Sequence, residues 1–340
     1  MPEQKMVFSH KPQISISRSS TLRMWLVCAC AFACVLQSSL SDGGKSLTIA
    51  LTALSSALLI ELLLTWRNDG AKKVLDGSAA ATAMIFSLLL PNELHPVYAF
   101  FGTAFAIVVV KYSFGGLGAN WLNPAIGGWL FVRFSWSSAF ANALEGSSSS
   151  VSEMTVAPDI SAIDNSVTEF FNGTVFSVVG IQLPSGYIDL LFYNGPGIIT
   201  DRGLFALLIG TIFITVIGIS RSWIPLVFLA VYAFLIRLAG DVGGMYWNGD
   251  MLYGIFSGGT IATAFILAAE PASSAKLRIG ILLSVVLGAV LSWFFRYKCM
   301  EYFGCFIALA LTNCLTPLIR IFEDRVFLSS NHSKFQENLL

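Results

Sequence analysis

Long apolar runs separated by short polar joints recur from Met24 to Ile319. A membrane-spanning helix takes roughly 20 mostly apolar residues. Read with that ruler, the pattern predicts about ten spans, at 24–41, 46–66, 78–91, 96–111, 122–141, 203–219, 223–238, 255–269, 278–295 and 301–319. The runs 78–91 and 255–269 are short and rich in Gly, Ala, Ser and Thr. The period-two alternation of a membrane barrel is absent. The expected fold is therefore an all-α integral membrane protein.

Composition agrees. Of 340 residues, 55% are hydrophobic and 12% charged, with mean hydropathy +0.73, whereas soluble domains carry about 25% charged residues. Lysine and arginine crowd alternate joints, and the side rich in them faces the cytoplasm. With the N-terminus inside, Lys5, Lys11, Arg18, Arg23, Arg67, Lys72, Lys73, Lys111, Arg221, Lys276, Arg278, Arg320, Arg325 and Lys334 are internal, and only Lys45, Arg202, Arg296 and Lys298 are external. Arg133 and Arg237 fall within spans. The expected organisation is a cytoplasmic tail 1–23, a five-helix repeat 24–141, an external stretch 142–202, a second five-helix repeat 203–319 and a cytoplasmic tail 320–340. A cleaved signal peptide is the rival reading of the first run, since a basic stretch precedes it and small residues lie near Cys34. Zero net charge and the lack of a basic stripe give nucleic-acid binding no support. The six cysteines lie in or beside spans, and the three histidines do not cluster. No metal site is expected, and Cys30 and Cys34, sharing a helix face, read as small packing residues.

The two halves repeat. Ser78-Ala79-Ala80-Ala81-Thr82-Ala83 precedes Pro91 in the third run, and Thr260-Ile261-Ala262-Thr263-Ala264 precedes Pro271 in the eighth. Asn123-Pro124 opens the fifth run, and Thr312-Asn313 with Pro317 lies in the tenth. The third and eighth runs cross in opposite directions, so five spans plus five would form an inverted repeat. Such repeats place their sites near the midplane, where short or broken helices meet.

Candidate chemistry sits in the interruptions. Gly115, Gly116 and Gly118 permit backbone geometry closed to other residues, and Asn120 and Asn123 each both donate and accept hydrogen bonds. This joint is either a re-entrant segment lining a cofactor or ion path, or a tight loop. Ser257, Gly258, Gly259 and Thr260 would let a flat ring or an ion approach the backbone, or would serve close helix packing. Glu61 stands inside Leu58-Leu59-Ile60-Glu61-Leu62-Leu63-Leu64. A carboxylate there is an ion-path candidate by default, with the membrane interface as the plainer alternative. Glu270 and Glu301 lie at span ends and read as boundary residues.

These strings resemble the NqrB/RnfD family. Gly115-Gly116-Leu117-Gly118-Ala119-Asn120 with Asn123-Pro124-Ala125 looks like its GGxGxNxFNPA segment, and Phe256-Ser257-Gly258-Gly259-Thr260 with Ala264-Phe265 and Glu270-Pro271 looks like its FSGATxxxAFFxxTDP segment. Leu183-Pro184-Ser185, Asp189-Leu190-Leu191 and Asn194-Gly195-Pro196-Gly197 match the stretch before the sixth span. The resemblance implies a membrane subunit of a redox-driven ion pump, passing electrons between ferredoxin and NAD with Na⁺ or H⁺ translocation, in a bacterial inner membrane with both termini cytoplasmic. It implies FMN held through its phosphate by a threonine on the outer side. It also implies other membrane and peripheral subunits as partners, including an external flavin-bearing one. Thr168, in Asp164-Asn165-Ser166-Val167-Thr168, is the first candidate, although Val167 replaces the family's alanine and Asp164 lies two residues closer than the pattern has it. Thr174 and Thr155 are alternatives. Thr260 belongs to the similar string Ser-Gly-Gly-Thr but lacks the upstream acid. Two other readings remain: an inverted-repeat channel or transporter for a small polar solute without flavin, and an assembly scaffold whose redox site has decayed.

Overall fold

A computed structural model describes residues 20–66, 74–116, 120–145, 166–174, 188–193, 197–218, 221–239, 250–299 and 301–337. Among the described residues the chain is helical, with no strand beyond an isolated bridge between Pro91 and Ile198. The first half contains α1 (Ser20–Asp42), α2 (Lys45–Thr65), α3 (Ser78–Leu88), α4 (Pro96–Phe105) and α5 (Pro124–Ser135). Helix α4 continues as a π-helical segment, Ala106–Tyr112. Two short helices follow, α6 (Ser137–Glu145) and α7 (Ser166–Thr174), then a 3₁₀ turn Asp189–Phe192 and α8 (Ile199–Arg202). The second half contains α9 (Leu204–Val216), α10 (Trp223–Ala239), α11 (Met251–Phe256), α12 (Thr260–Ala262), α13 (Arg278–Trp293) and α14 (Gly304–Glu337). Helix α12 runs on as π-helical Thr263–Leu267, and α13 as π-helical Phe294–Lys298.

Every predicted apolar run is helical, with three differences. The run 122–141 is divided at Trp136 between α5 and α6. The run 255–269 is broken at Ser257–Gly259 between α11 and α12. The last helix does not stop at Ile319 but continues to Glu337, through much of the predicted tail and across Pro317. Among the described residues, four helical stretches are long and apolar enough to cross a membrane: Thr21–Asp42, Lys45–Thr65, Arg278–Lys298 and Gly304–Glu323. Ser78–Leu88, Pro96–Tyr112, Leu204–Val216 and Trp223–Ala239 are shorter apolar helices.

Local chemistry sets the helix ends. Asp42 accepts from the backbone N–H groups of Gly44 and Ser46, turning α1 sharply into α2. His95 and Asn123 cap α4 and α5, each followed by a proline whose fixed φ suits the first helical position. Small residues then let helices approach. Helix α2 lies against α3 and α4, α4 against α5, α10 against α13, and α13 against α14. Helix α1 joins the halves, packing on α2 and α3 and also on α9. Its buried Cys30 and Cys34 face Gly210 and Gly203, where a Cβ would overlap the cysteine sulfurs. These cysteines are packing residues. Polar groups of α8 add a second seam, since Thr200 Oγ1 donates to the Leu88 carbonyl at 2.7 Å and Ile199 N–H to Leu90 at 3.0 Å.

Gly210→Val should therefore push α1 off α9. Overpacking of this kind costs about 1–3 kcal/mol, read as a lower thermal midpoint of the detergent-solubilised protein. Cys30→Ala in the same chain should recover part of the loss, and a midpoint unchanged by Gly210→Val would contradict this contact.

Candidate functional site

Charge buried among apolar helices is the most informative feature of the interior. Glu61, on α2, is wholly buried. Its Oε1 accepts from Lys111 Nζ at 2.6 Å and from Tyr112 Oη at 3.0 Å. Lys111 is also buried and donates to Ser78 Oγ at 2.7 Å. The ammonium thus ties the end of the π-helical segment to α2 and to the first residue of α3. Gly77, just before Ser78, has φ +75°, a conformation that a side chain disfavours. Lys111 read as an inner-loop cation in sequence, and nothing in its spacing singled it out.

The second half carries a related arrangement. Arg296, on the π-helical end of α13, is buried. Its Nη1 donates to Tyr232 Oη at 3.1 Å and to the Gly254 carbonyl, the Ser257 carbonyl and Thr260 Oγ1 at 2.9 Å. Its Nη2 donates to Ser257 Oγ at 2.6 Å. Gly259, before Thr260, has φ +68°. Asp201 accepts from Gly259 N–H at 3.1 Å and from Tyr302 Oη at 2.9 Å, and Tyr302 Oη in turn accepts from Gly258 N–H at 3.1 Å. The break between α11 and α12 leaves backbone groups that no helix satisfies, and Arg296, Asp201 and Tyr302 satisfy them. Arg296, read from sequence as a cation of the external side, is the buried centre of this network.

The sequence candidates are distributed as follows. Ser257, Gly258, Gly259 and Thr260 form the break itself. The close approach they permit is made by the chain's own side chains, because a Cβ on Gly258 would lie 3.0 Å from Arg296 Cζ and one on Gly259 would overlap Phe306. Gly115 and Gly116 end the π-helical segment, with Gly115 N–H donating to Tyr112 O at 3.1 Å and Gly116 N–H to Lys111 O at 3.0 Å. Gly118 lies outside the described residues. Asn120 is buried and donates to the Leu122 carbonyl at 3.1 Å. Asn123 reaches across the halves, as its Oδ1 accepts from Ala125 N–H at 2.9 Å while its Nδ2 donates to Glu270 Oε2. Glu270, read as a boundary residue, also accepts from Ser273 Oγ at 3.2 Å. Asn123, Glu270 and Arg23 are the charged and amide groups of a pocket otherwise walled by residues such as Val27, Ile85, Ile214 and Phe265. Glu301 pairs with Arg133 across the halves at 3.5 Å.

Thr168 lies on α7 with its hydroxyl buried and donating to Asp189 Oδ2, while its N–H donates to Asp189 Oδ1 at 3.3 Å. Thr174 is exposed and donates to the Phe170 carbonyl at 2.6 Å. Thr155 lies outside the described residues. The Thr168 hydroxyl is thus already oriented on a carboxylate. Among the described residues no group of three or more His, Cys, Asp or Glu side chains is arranged to hold a metal ion.

The Arg296 network generates a direct test. Arg296→Lys keeps the charge but cannot reproduce a planar fork serving five acceptors. Each lost charged hydrogen bond is worth about 1.5–3 kcal/mol. The variant should melt well below the wild type and expose the 257–260 segment to proteolysis, and an unchanged melt would contradict the bonding described.

Three curated relatives place the chain. It is 24% identical over 322 residues to the D subunit of the proton-translocating ferredoxin:NAD(+) oxidoreductase complex of Clostridium ljungdahlii, covering 94% of each chain. It is 25% identical over 280 residues to the D subunit of the ion-translocating oxidoreductase complex of Methanosarcina acetivorans, covering 82% of each. It is 28% identical over 254 residues to the D subunit of the Na(+)-translocating ferredoxin:NAD(+) oxidoreductase complex of Acetobacterium woodii, covering 74% of this chain and 73% of the relative. The model of the NQR2, RnfD, RnfE family matches residues 7–327. With nearly the whole chain matched, this multi-pass helical protein belongs to the NQR2, RnfD, RnfE family.

Proposed function

We propose that the chain is the flavin-carrying membrane subunit of an ion-translocating oxidoreductase of the ferredoxin:NAD type, not a complete enzyme by itself. The observation that carries this reading is the end-to-end family match, with relatives named as the D subunit of such complexes. The interior supports it. A fully buried Glu61 paired with Lys111 is expensive in an apolar bundle and belongs where charge has to move. Chemistry on ferredoxin and NAD falls to partner subunits, both membrane-embedded and peripheral and including an external flavin-bearing one, since this chain has neither a dinucleotide fingerprint after a strand nor an iron–sulfur cysteine run. The protein resides in the bacterial cytoplasmic membrane.

The architecture proposed is ten spans in two inverted halves, 24–141 and 203–319, with both termini and the tails 1–23 and 320–340 inside and 142–202 outside. Parallel details support the inversion. The fourth helix of each half, α4 and α13, ends in a π-helical segment carrying a buried cation, Lys111 or Arg296. Each cation bonds the hydroxyl of the residue that opens the third helix after a positive-φ glycine, Ser78 or Thr260. Each also bonds a side chain of the second helix, Glu61 or Tyr232.

Thr168 is the proposed attachment point for FMN through a phosphoester, with Thr174 and Thr155 as alternatives. Bound FMN supplies the electron-carrying group. The chain contributes the hydroxyl of Thr168, the proton acceptor Asp189 beside it, and an exposed Phe170 as an apolar neighbour. Glu61 is placed on the ion path. Asn123, bonding Glu270 in the pocket that both line, remains a candidate contact for a second polar or flat ligand, and Gly115, Gly116, Gly118 and Asn120 remain candidates with it. The relatives' names differ on proton or sodium, so the translocated ion is given only as a monovalent cation.

Two outcomes are expected. Thr168→Ala should abolish flavin fluorescence of the chain in a denaturing gel while leaving membrane insertion intact, and Thr168→Ser should retain part of it. Fluorescence persisting in the alanine variant would exclude Thr168 and move the test to Thr174. For orientation, single cysteines at positions 73 and 150 in a cysteine-free chain should be labelled by an impermeant reagent only from the inner and outer faces respectively. Labelling of position 73 from outside would reverse the topology.

A further inference from the structure

The two buried cation nodes share a plan but differ in the cation and in the group that the second helix presents to it. In the second half, Arg296 is held by neutral acceptors: Tyr232 Oη, two carbonyls and the hydroxyls of Ser257 and Thr260. A guanidinium remains charged under all conditions a protein meets, and its nearby carboxylate, Asp201, is already engaged by Gly259 N–H and Tyr302 Oη. In the first half, the second helix presents a carboxylate, Glu61, where the other half presents the phenol of Tyr232. The ammonium of Lys111 satisfies only one of its oxygens. Glu61 Oε2 is buried and has no hydrogen-bond partner among the described residues.

A buried carboxylate oxygen without a partner is costly. It is also an open ligand position for a cation, and Ser78 Oγ and Tyr112 Oη lie within the same cluster. Lys111 Nζ already occupies the neighbouring oxygen at 2.6 Å. On displacement the ammonium keeps only neutral partners, Ser78 Oγ at 2.7 Å and the Tyr112 ring at 5.5 Å, so its uncompensated charge draws it back to Glu61 once the cation leaves. The lysine stem is flexible and its head is a compact point charge, which suits it to swing between partners.

We propose that Glu61 binds the translocated monovalent cation, a proton or a sodium ion, by exchange with the tethered ammonium of Lys111. This rests on the placement of Glu61 on the ion path and adds the device that loads and unloads it. With Lys111 seated, the pair is neutral and the cation is excluded. With Lys111 withdrawn, the cation takes the carboxylate and neutralises it in turn. The node around Arg296, which lacks a carboxylate at the matching position, stays closed and serves as a fixed clamp. Exchange therefore belongs to the first half alone.

The test uses the assembled complex, purified in detergent and in sealed vesicles. Thermal midpoints are measured in sodium chloride and in choline chloride at constant pH, and across pH in choline chloride. In Lys111→Met, Glu61 loses its internal counter-charge, so the cation should raise the midpoint where the wild type responds little. The half-saturating cation concentration for coupled electron transfer should fall by about tenfold, because a tethered competitor acts at an effective concentration on the order of millimolar. A response to sodium at constant pH identifies sodium, and a response to pH alone identifies the proton. The double variant Glu61→Gln/Lys111→Met should lose the cation response altogether. If Lys111→Met fails to assemble while the double variant assembles, the uncompensated Glu61 charge is the cause and the proposal stands.

Several results would overturn it. One is a Lys111→Met complex with wild-type cation dependence in both measurements. Another is failure of both variants to assemble beside a normal Lys111→Met/Glu61→Met chain, which would assign the pair to packing alone. Glu61→Gln by itself reads the ion-path placement, since undiminished cation uptake there ends that reading. Lost uptake in Glu61→Gln together with unchanged half-saturation in Lys111→Met ends only the exchange device.

Discussion

Two cations, Lys111 and Arg296, are buried inside a bundle made almost entirely of apolar and small side chains, and the local geometry around each follows from the need to satisfy them. Moving an ammonium or guanidinium out of water without partners costs far more than the few kcal/mol by which a fold is stable. Both cations also lie beside the first residue of a helix, where the backbone dipole disfavours positive charge. Each position therefore needs acceptors close at hand. The first half supplies a carboxylate, Glu61, and the second supplies carbonyls, hydroxyls and the phenol of Tyr232, with Asp201 close by. Removing one partner of a buried pair typically costs about 3–5 kcal/mol, so these groups restrain the helices that bear them.

The restraint explains the broken helix. A segment such as Ser257–Gly259 exposes N–H and C=O groups that lipid cannot satisfy, and such irregular backbone is tolerated at membrane depth only when buried in protein or facing a water-filled cavity. Here protein does it. Arg296 takes the carbonyls of Gly254 and Ser257, and Asp201 and Tyr302 take the N–H groups of Gly259 and Gly258. Asp201 belongs to α8, at the end of the stretch that also carries Thr168 and Asp189. The candidate flavin attachment region and the broken helix are thus linked through one continuous stretch of chain, while Glu61 and Lys111 form a separate node elsewhere in the bundle. Electron carriage and ion movement, as proposed, would use different nodes of the same scaffold.

The cross-half contacts serve the same logic. Asn123 caps its own helix and donates to Glu270, and Arg133 pairs with Glu301. Neither pairing is local in sequence. Cys30 and Cys34 on α1 sit against Gly210 and Gly203, where close approach depends on the absence of a side chain on the glycines. Helix packing in membranes relies on this kind of small-residue contact because lipid gives apolar side chains no reason to leave it.

Sequence alone determined the class of the protein and where its main apolar helices lie, though not their breaks or ends, because a 20-residue apolar run has few alternatives in a membrane. It also marked Glu61, whose charge is conspicuous among leucines, and the glycine-rich breaks, since glycine tolerates backbone conformations that other residues resist. It could not show that Lys111 and Arg296 were interior. Each ends an apolar run, where a positive side chain ordinarily reaches the interface, and only the packing of α2 and α3 around one and of α10, α11 and α12 around the other encloses them. Glu270 and Asp201 were hidden for the same reason, as residues at helix ends whose partners, Asn123 and Gly259, lie on other segments. Hydrophobic periodicity reports what one helix requires of its surroundings. Which cation meets which carboxylate is settled only when helices far apart in the chain are brought into contact.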